Sequence, residues 1–312
     1  MRRTYLDFEE PLRALDRARD AAVAQRDDEA IAHVDQEIAA HARATCAALT
    51  PWQRVQLSRH IDRPFTLDYV GALCTDFVEL HGDRLYGEDA AVVAGLAFRG
   101  PRAIAVVGHQ RGRGTAEKVR RNFGMPRPEG FRKARRVFEL AGRIGLPVLA
   151  FVDTQGAFPG TESEERGIAE AIAGCLATLA ALPVPIVSVV IGEGGSGGAL
   201  AFAVSDVLLI LEHACLAVIT PEGCASILER RRTPEAVARA AASLRLTAPD
   251  LERLGIADAI VPEPLGGAHR DPASATAAVG RAVDEAFASL DALDAAQLRA
   301  RRDARLRALG SF

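Results

Sequence analysis

The chain has 312 residues, is 49% hydrophobic, and carries 38 basic against 41 acidic side chains. This is enough apolar material for a buried core, and the near-neutral balance excludes a global attraction to nucleic acid or anionic membranes. No apolar run reaches the roughly 18 residues of a membrane span, because Asp206 and Glu212 interrupt the longest candidate. The N-terminus lacks the apolar stretch of a signal peptide, so a cytoplasmic protein with no membrane partner is expected.

Residues 6–49 are charged and alanine-rich, with Ile31, Val34 and Ile38 at helical spacing, which predicts a helical arm or hairpin. Pro51 fits a helix start, Trp52, Val55 and Leu57 suggest a short docking segment, and Pro64 ends it. From about residue 67 to 262, short β-branched runs alternate with helical stretches, the pattern of a layered α/β domain. Strands are expected at 91–98, 103–108, 147–152, 186–191, 207–211 and 216–219. Helices are expected at 131–144, 162–181, 198–204 and 234–246. Residues 273–309 read as one or two solvent-facing helices. The expected division is an arm over 1–66, a catalytic domain over 67–265 and a helical tail over 266–312.

Five glycines fall between Gly192 and Gly198, after a buried strand and before an apolar helix. Glycines allow close backbone approach, and amides at a helix start point outward with the helix dipole behind them, so Gly197 and Gly198 are candidate oxyanion donors. The plainer alternative is a tight strand-to-helix packing turn. A second turn follows Val152, where Gly156 and Ala157 are expected to shape the same crevice through backbone contacts. Asp153 reads as a residue that caps this turn through its own side chain rather than as a catalytic acid. His109 reads as a core or turn histidine.

Between Arg111 and Arg136 there are ten Lys or Arg against two Glu. Three uses stay open for this run: nucleic-acid binding, a solvated face, or attraction of an anionic ligand. Cys46, Cys74, Cys175, Cys215 and Cys224 are scattered, with no zinc-ligand spacing, and read as free thiols. There is no Walker A motif, no G-x-S-x-G elbow and no H-E-x-x-H. No metal is expected on this chain.

The strings beginning at Leu6, Leu67, Gly82, Gly108, Arg120, Glu164, Gly192, Pro221 and Pro262 resemble the α subunits of the bacterial multi-subunit acetyl-CoA carboxylase carboxyltransferase. The resemblance implies a crotonase-like (ClpP/crotonase) ββα superhelix and an α2β2 assembly with a zinc-ribbon carboxyltransferase β subunit. It implies transfer of a carboxyl group from carboxybiotin, carried on biotin carboxyl carrier protein and loaded by biotin carboxylase in an ATP-dependent complex, to acetyl-CoA. The product, malonyl-CoA, would feed fatty-acid synthesis. By motif position, Gly197 and Gly198 would be the oxyanion donors, and Gly156, Ala157, Gly194, Gly195 and Ser196 would line the carboxybiotin pocket.

The sequence departs from that family's pattern at three places: Gln155 stands for a usual proline, Gly114 for a usual acidic residue, and the connection at 229–233 is short. A paralogue acting on propionyl-CoA or another acyl-CoA remains an alternative, as does a noncatalytic assembly or RNA-binding protein. A CoA hydratase fits less well, because paired acidic residues around the glycine turns are not found.

Overall fold

The structure is a computed structural model describing residues 3–230 and 232–310. The chain opens with a helical hairpin, α1 (Glu10–Gln25) and α2 (Asp28–Ala48), whose turn is set by left-handed Arg26 and by the Asp27 carboxylate accepting from the Ala30 amide. Thr50 and Gln53 cap each other's backbone to start α3 (Pro51–Ser58), with Pro51 in the first helical position as expected. Next come α4 (Thr66–Leu73) and the strands β1 (Thr75–Glu79), β2 (Val92–Arg99) and β3 (Arg102–His109).

A short helix α5 (Thr115–Arg120) precedes α6 (Pro128–Ile144), which begins on a proline and stops at left-handed Gly145. Strand β4 (Val148–Thr154) follows, then α7 (Thr161–Glu165) and α8 (Ile168–Ala181). The single helix expected over 162–181 is thus two, because Gly167 at φ 78 breaks it. Strand β5 (Ile186–Gly195) leads into α9 (Ser196–Leu200), β6 (Val207–Leu211) and β7 (Cys215–Ala217). The remainder is α10 (Pro221–Leu228), α11 (Pro234–Ser243), α12 (Ala248–Arg253), β8 (Ala259–Val261), α13 (Pro272–Leu290) and α14 (Ala295–Ala308).

One eight-stranded sheet runs β1-β2-β3-β4-β5-β6-β8, with β7 added beside the far end of β5. The first three strands pair antiparallel and the rest parallel. Strands β4, β5 and β6 are buried at every position, which fits their unbroken apolar sequence and helices packed against the sheet. Helices α6 and α8 pack on each other, with α6 against β2 and β3, and α4 pairs with α13.

The tail differs from the expected solvent-facing helices. Val279, Val283, Phe287 and Leu290 of α13 and Leu298 of α14 enter the main core. Their apolar stripe was masked in sequence by the Ala, Arg and Asp residues of the opposite faces. Arg302 of α14 is itself buried, donating to the Asp206 carboxylate at 2.8 and 3.0 Å and to the carbonyls of Leu179, Leu182 and Val184.

Candidate active site

The ends of β4 and β5 meet at an irregular step. Val152 pairs with Val190, but the next pair is Thr154 with Gly194. Strand β5 continues to Gly195, and Glu193–Gly195 pair with Cys215–Ala217 of β7. Gly192, Gly194 and Gly195 are therefore strand residues rather than members of an open ligand loop. Packing accounts for each of them: a Cβ at Gly192 would strike the Asp153 carboxylate, one at Gly194 would lie 2.6 Å from Leu216 Cδ1, and one at Gly195 would overlap the Gln155 carbonyl.

The turn is made at Ser196, which holds φ 54 and is the first residue of α9. Because α9 spans five residues, the expected macrodipole contribution is dropped, and the available donors are local amides of a first helical turn, which have no i−4 partner. Gly198 is wedged against the second turn: its Cβ would sit 2.6 Å from the Ala157 nitrogen and 2.7 Å from the Gly156 carbonyl carbon. Gly156 holds φ 147, a region nearly reserved for glycine, and its amide donates to Thr154 Oγ1. Gly197 is looser, since a Cβ there would meet only Ile172 at 3.7 Å.

Ser196 and Gly197 open on a cavity of about 440 Å³ with apolar walls from Leu216, Leu251, Leu254 and Ile256, bounded also by Leu309 and Gly310. Of the seven candidate site residues, these two line the cavity. Gly156, Ala157, Gly194, Gly195 and Gly198 are not among its lining residues. The two glycine-bearing turns do come together, with the second buttressing the first.

Beneath the turn lies a chain of charges. The Asp153 Oδ1 accepts from the Glu193 amide at 3.1 Å and faces Arg111 Nε at 3.0 Å. Its expected role in capping its own turn is thus replaced by a bond across to β5. Burial raises the Asp153 carboxyl, opposed by Arg111. Glu193 accepts from Arg59 at 2.7 Å and Arg111 at 3.3 Å, and Arg59 reaches on to Glu222 at 2.5 Å. Alongside, buried Arg63 donates to the Ile191 carbonyl and to Glu263, and although burial opposes it, Arg63 brings the Glu263 carboxyl down to about 2.

His109 is fully buried, stacked on Phe202, and accepts from the Asp153 amide. Burial lowers its pKa to about 3, so it is neutral at physiological pH. Burial also pushes the Cys215 thiol up to about 12, which removes it as a nucleophile near neutrality.

Most of the basic run turns inward. Arg121 donates to the Ala90 carbonyl and Glu117, Arg132 to Asp83, and Arg136 to the Leu80 and Gly82 carbonyls. Buried Lys133 is held by Glu79, Glu88 and the Val92 carbonyl. Arg113 pairs with Asp68 and lies over the Phe65 ring. A run spent on internal carboxylates and carbonyls does not form a continuous phosphate-binding face.

A model of the acetyl co-enzyme A carboxylase carboxyltransferase-like family matches residues 5–310. The chain belongs to that family. Among its relatives, the acetyl-coenzyme A carboxylase carboxyl transferase subunit alpha of Sorangium cellulosum is 50% identical over 319 aligned positions, covering 100% of this chain and 99% of the relative. Among solved structures, transcarboxylase 12S with hydrolysed methylmalonyl-coenzyme A superposes with a TM-score of 0.61 at 18% identity, over 77% of this chain and 44% of that one. The β subunit of the geranyl-CoA carboxylase of P. aeruginosa gives 0.56 at 17% identity, over 80% and 46%. The chain spans under half of either structure's length, and these likenesses establish the crotonase-like α/β fold.

Within this carboxyltransferase family member, the charged residues that organise the turn, Arg59, Arg63, Glu193 and Glu263, escape sequence reading because the bonds that join them to the turn and to each other span 82 to 200 residues. One signal was present: a glutamate, Glu193, inside an otherwise buried glycine strand.

A separate cluster brings the Glu9, His60 and His269 ligand atoms within 4.8 Å of one another. The two imidazoles stack with centroids 4.0 Å apart and planes 30° from parallel. A metal must lie close to both ring planes at about 2.1 Å from each nitrogen, which stacked rings do not allow. The cluster instead acts as a lock, with His269 Nε2 at 2.8 Å from Glu9.

Proposed function

We infer that this chain is the carboxybiotin-facing α subunit of an acetyl-CoA carboxylase carboxyltransferase, working with a zinc-ribbon β subunit that brings acyl-CoA. The observation that carries the reading is Gly197 at the edge of an apolar cavity, with Gly198 behind it wedged against Ala157. Apolar walls suit the bicyclic ring of biotin, and backbone amides suit its ureido carbonyl oxygen. Carboxybiotin supplies the carboxyl group when its carrier delivers it.

The chain's own contribution is electrostatic. Amides of Gly197 and Gly198 donate to an oxygen on which negative charge grows during transfer, from positions that need no reorganisation. Losing one such donor costs roughly 3 kcal/mol in transition-state stabilisation. Once the cavity mouth is covered, its apolar walls would strengthen those bonds by keeping water away from them. Asp153 and Glu193 are committed to internal contacts and His109 is fully buried, which agrees with a chain that binds and polarises rather than abstracts a proton.

The test is to purify the chain with and without a zinc-ribbon β subunit and follow carboxyl transfer from malonyl-CoA to biocytin. Activity in the mixture alone supports the reading, and faster transfer from methylmalonyl-CoA would move the substrate to propionyl-CoA. An assembled complex inactive with both would overturn it. The RNA-binding alternative expects binding that weakens steeply with salt and is indifferent to changes at Gly198.

A further inference from the structure

Five glycines in seven residues make a segment that, left alone, would sample many backbone conformations, yet an oxyanion site works only if its amides are fixed. Strand pairing with β4 and β7 holds part of it, and one residue, Glu193, ties it to the rest of the fold. Glu193 is buried, and its backbone amide donates to Asp153 Oδ1 at 3.1 Å, joining the ends of β4 and β5. One carboxylate oxygen accepts from Arg59 at 2.7 Å, just past the end of α3, and the other from Arg111 at 3.3 Å, just past the end of β3. Arg59 continues to Glu222 in the first turn of α10 and stacks over Trp52 of α3. Through Glu193 the turn is therefore tied to four otherwise separate parts of the fold.

The arrangement also answers an electrostatic need. Two carboxylates, Asp153 and Glu193, lie directly under a site meant to hold growing negative charge, and unneutralised they would oppose it. Arg111 contacts both, and Arg59 contacts Glu193. The two arginines thus offset most of the negative charge that the anchor places beneath the turn.

We propose that Glu193 is a positioning residue of the carboxyl-transfer reaction, holding the Gly194–Gly198 backbone through Arg59, Arg111 and Asp153 while touching no substrate. This rests on the carboxyltransferase reading of the turn. Two readouts on the assembled complex test it. In Glu193→Gln, amide hydrogen exchange of a peptide spanning 192–200 should rise by about tenfold or more while peptides of α13 are unchanged. In the biocytin assay its kcat should fall about 100-fold, as a roughly 1 Å misplacement does, with KM for malonyl-CoA held within about twofold.

If Glu193→Gln does not assemble, Arg59→Lys serves instead. It keeps the charge but loses the fork shared by Glu193 and Glu222, and should shift both readouts in the same direction by a smaller factor. Asp284→Asn, which breaks a surface pair with Arg99, should change neither. Unchanged exchange over 192–200, or an unchanged kcat, overturns the proposal. Should the wild-type complex itself show no transfer, the functional reading falls, and the exchange result alone decides whether Glu193 anchors the turn.

Discussion

Gly198 and Ala157 approach so closely that a Cβ on the glycine would lie 2.6 Å from the Ala157 nitrogen, a backbone atom that cannot rotate aside. Gly197, one residue earlier, has room for a methyl group 3.7 Å from Ile172. The two adjacent glycines should therefore respond differently. Gly198→Ala is expected to destabilise the chain by about 1–3 kcal/mol through overpacking and to lower turnover by 100-fold or so as the turn shifts. Gly197→Ala should leave stability within about 0.5 kcal/mol, so that any lost activity reports on the cavity itself. Thermal unfolding and the transfer assay, run on both variants, separate the cases; equal destabilisation by the two would refute the packing argument.

Arg302 and Asp206 form an ion pair with no exposed side-chain surface on either partner. Four backbone carbonyls, those of Leu179, Ala180, Leu182 and Val184, complete the guanidinium's hydrogen bonding, so removing it strands both a carboxylate and those acceptors. Arg302→Met is expected to cost about 3–5 kcal/mol in chemical denaturation. Activity per folded complex should be unchanged, since neither Arg302 nor Asp206 lines the cavity beside Gly197. A variant as stable as the wild type would contradict the structure of the tail.

Acid should loosen the N-terminal arm. Burial and the neighbouring His269 lower the His60 pKa from 6.5 to about 4, so the unfolded chain binds a proton at His60 before the folded one does. Stability from this group is complete above pH 6.5 and is lost as pH falls toward 4. The Glu9 carboxyl, which burial alone would raise, is held low by His269, and its contribution is lost further down, below its ordinary range. His60→Phe preserves a ring against His269 and cannot titrate. The slope of unfolding free energy against pH between 6.5 and 4 should drop by about one proton, near 1.4 kcal/mol per pH unit at most. An unchanged slope would show that His60 is protonated in the folded state.

Much of this fold is legible in the sequence because its central strands are buried on both faces and therefore continuous in their apolar character. The expected strand at 207–211 coincides with β6, and those at 91–98 and 103–108 overlap β2 and β3 within a residue or so at each end. β1 went unseen because Thr75-Asp-Phe-Val-Glu is an edge strand with exposed positions and a bulge, and β8 because three residues carry no periodicity. At the proposed site, glycine density marks the segment, but it does not show that Gly194 and Gly195 sit in the strand against Leu216 and Gln155. Which arginines of the basic run are internal could not be read from composition, because their partners, such as Asp83 for Arg132 and Asp68 for Arg113, lie tens of residues away.

The apolar wall beside Gly197 continues outward to Val218, which is 75% exposed in the isolated chain, and Ile227 and Leu228 of α10 are similarly exposed. Large aliphatic side chains this exposed beside a cavity favour coverage by another protein, and the functional reading expects the β subunit there. Val218→Asp removes nothing from the core, so the chain should fold with an unchanged melting temperature. It should fail to copurify with a zinc-ribbon partner and lose transfer activity, because a carboxylate buried at an interface costs several kcal/mol unless it is paired. Val78→Asp, on edge strand β1 and 60% exposed, provides the comparison and should assemble normally. Assembly and turnover in Val218→Asp equal to wild type would mean that the partner docks elsewhere, and that the cavity mouth stays open to solvent in the complex.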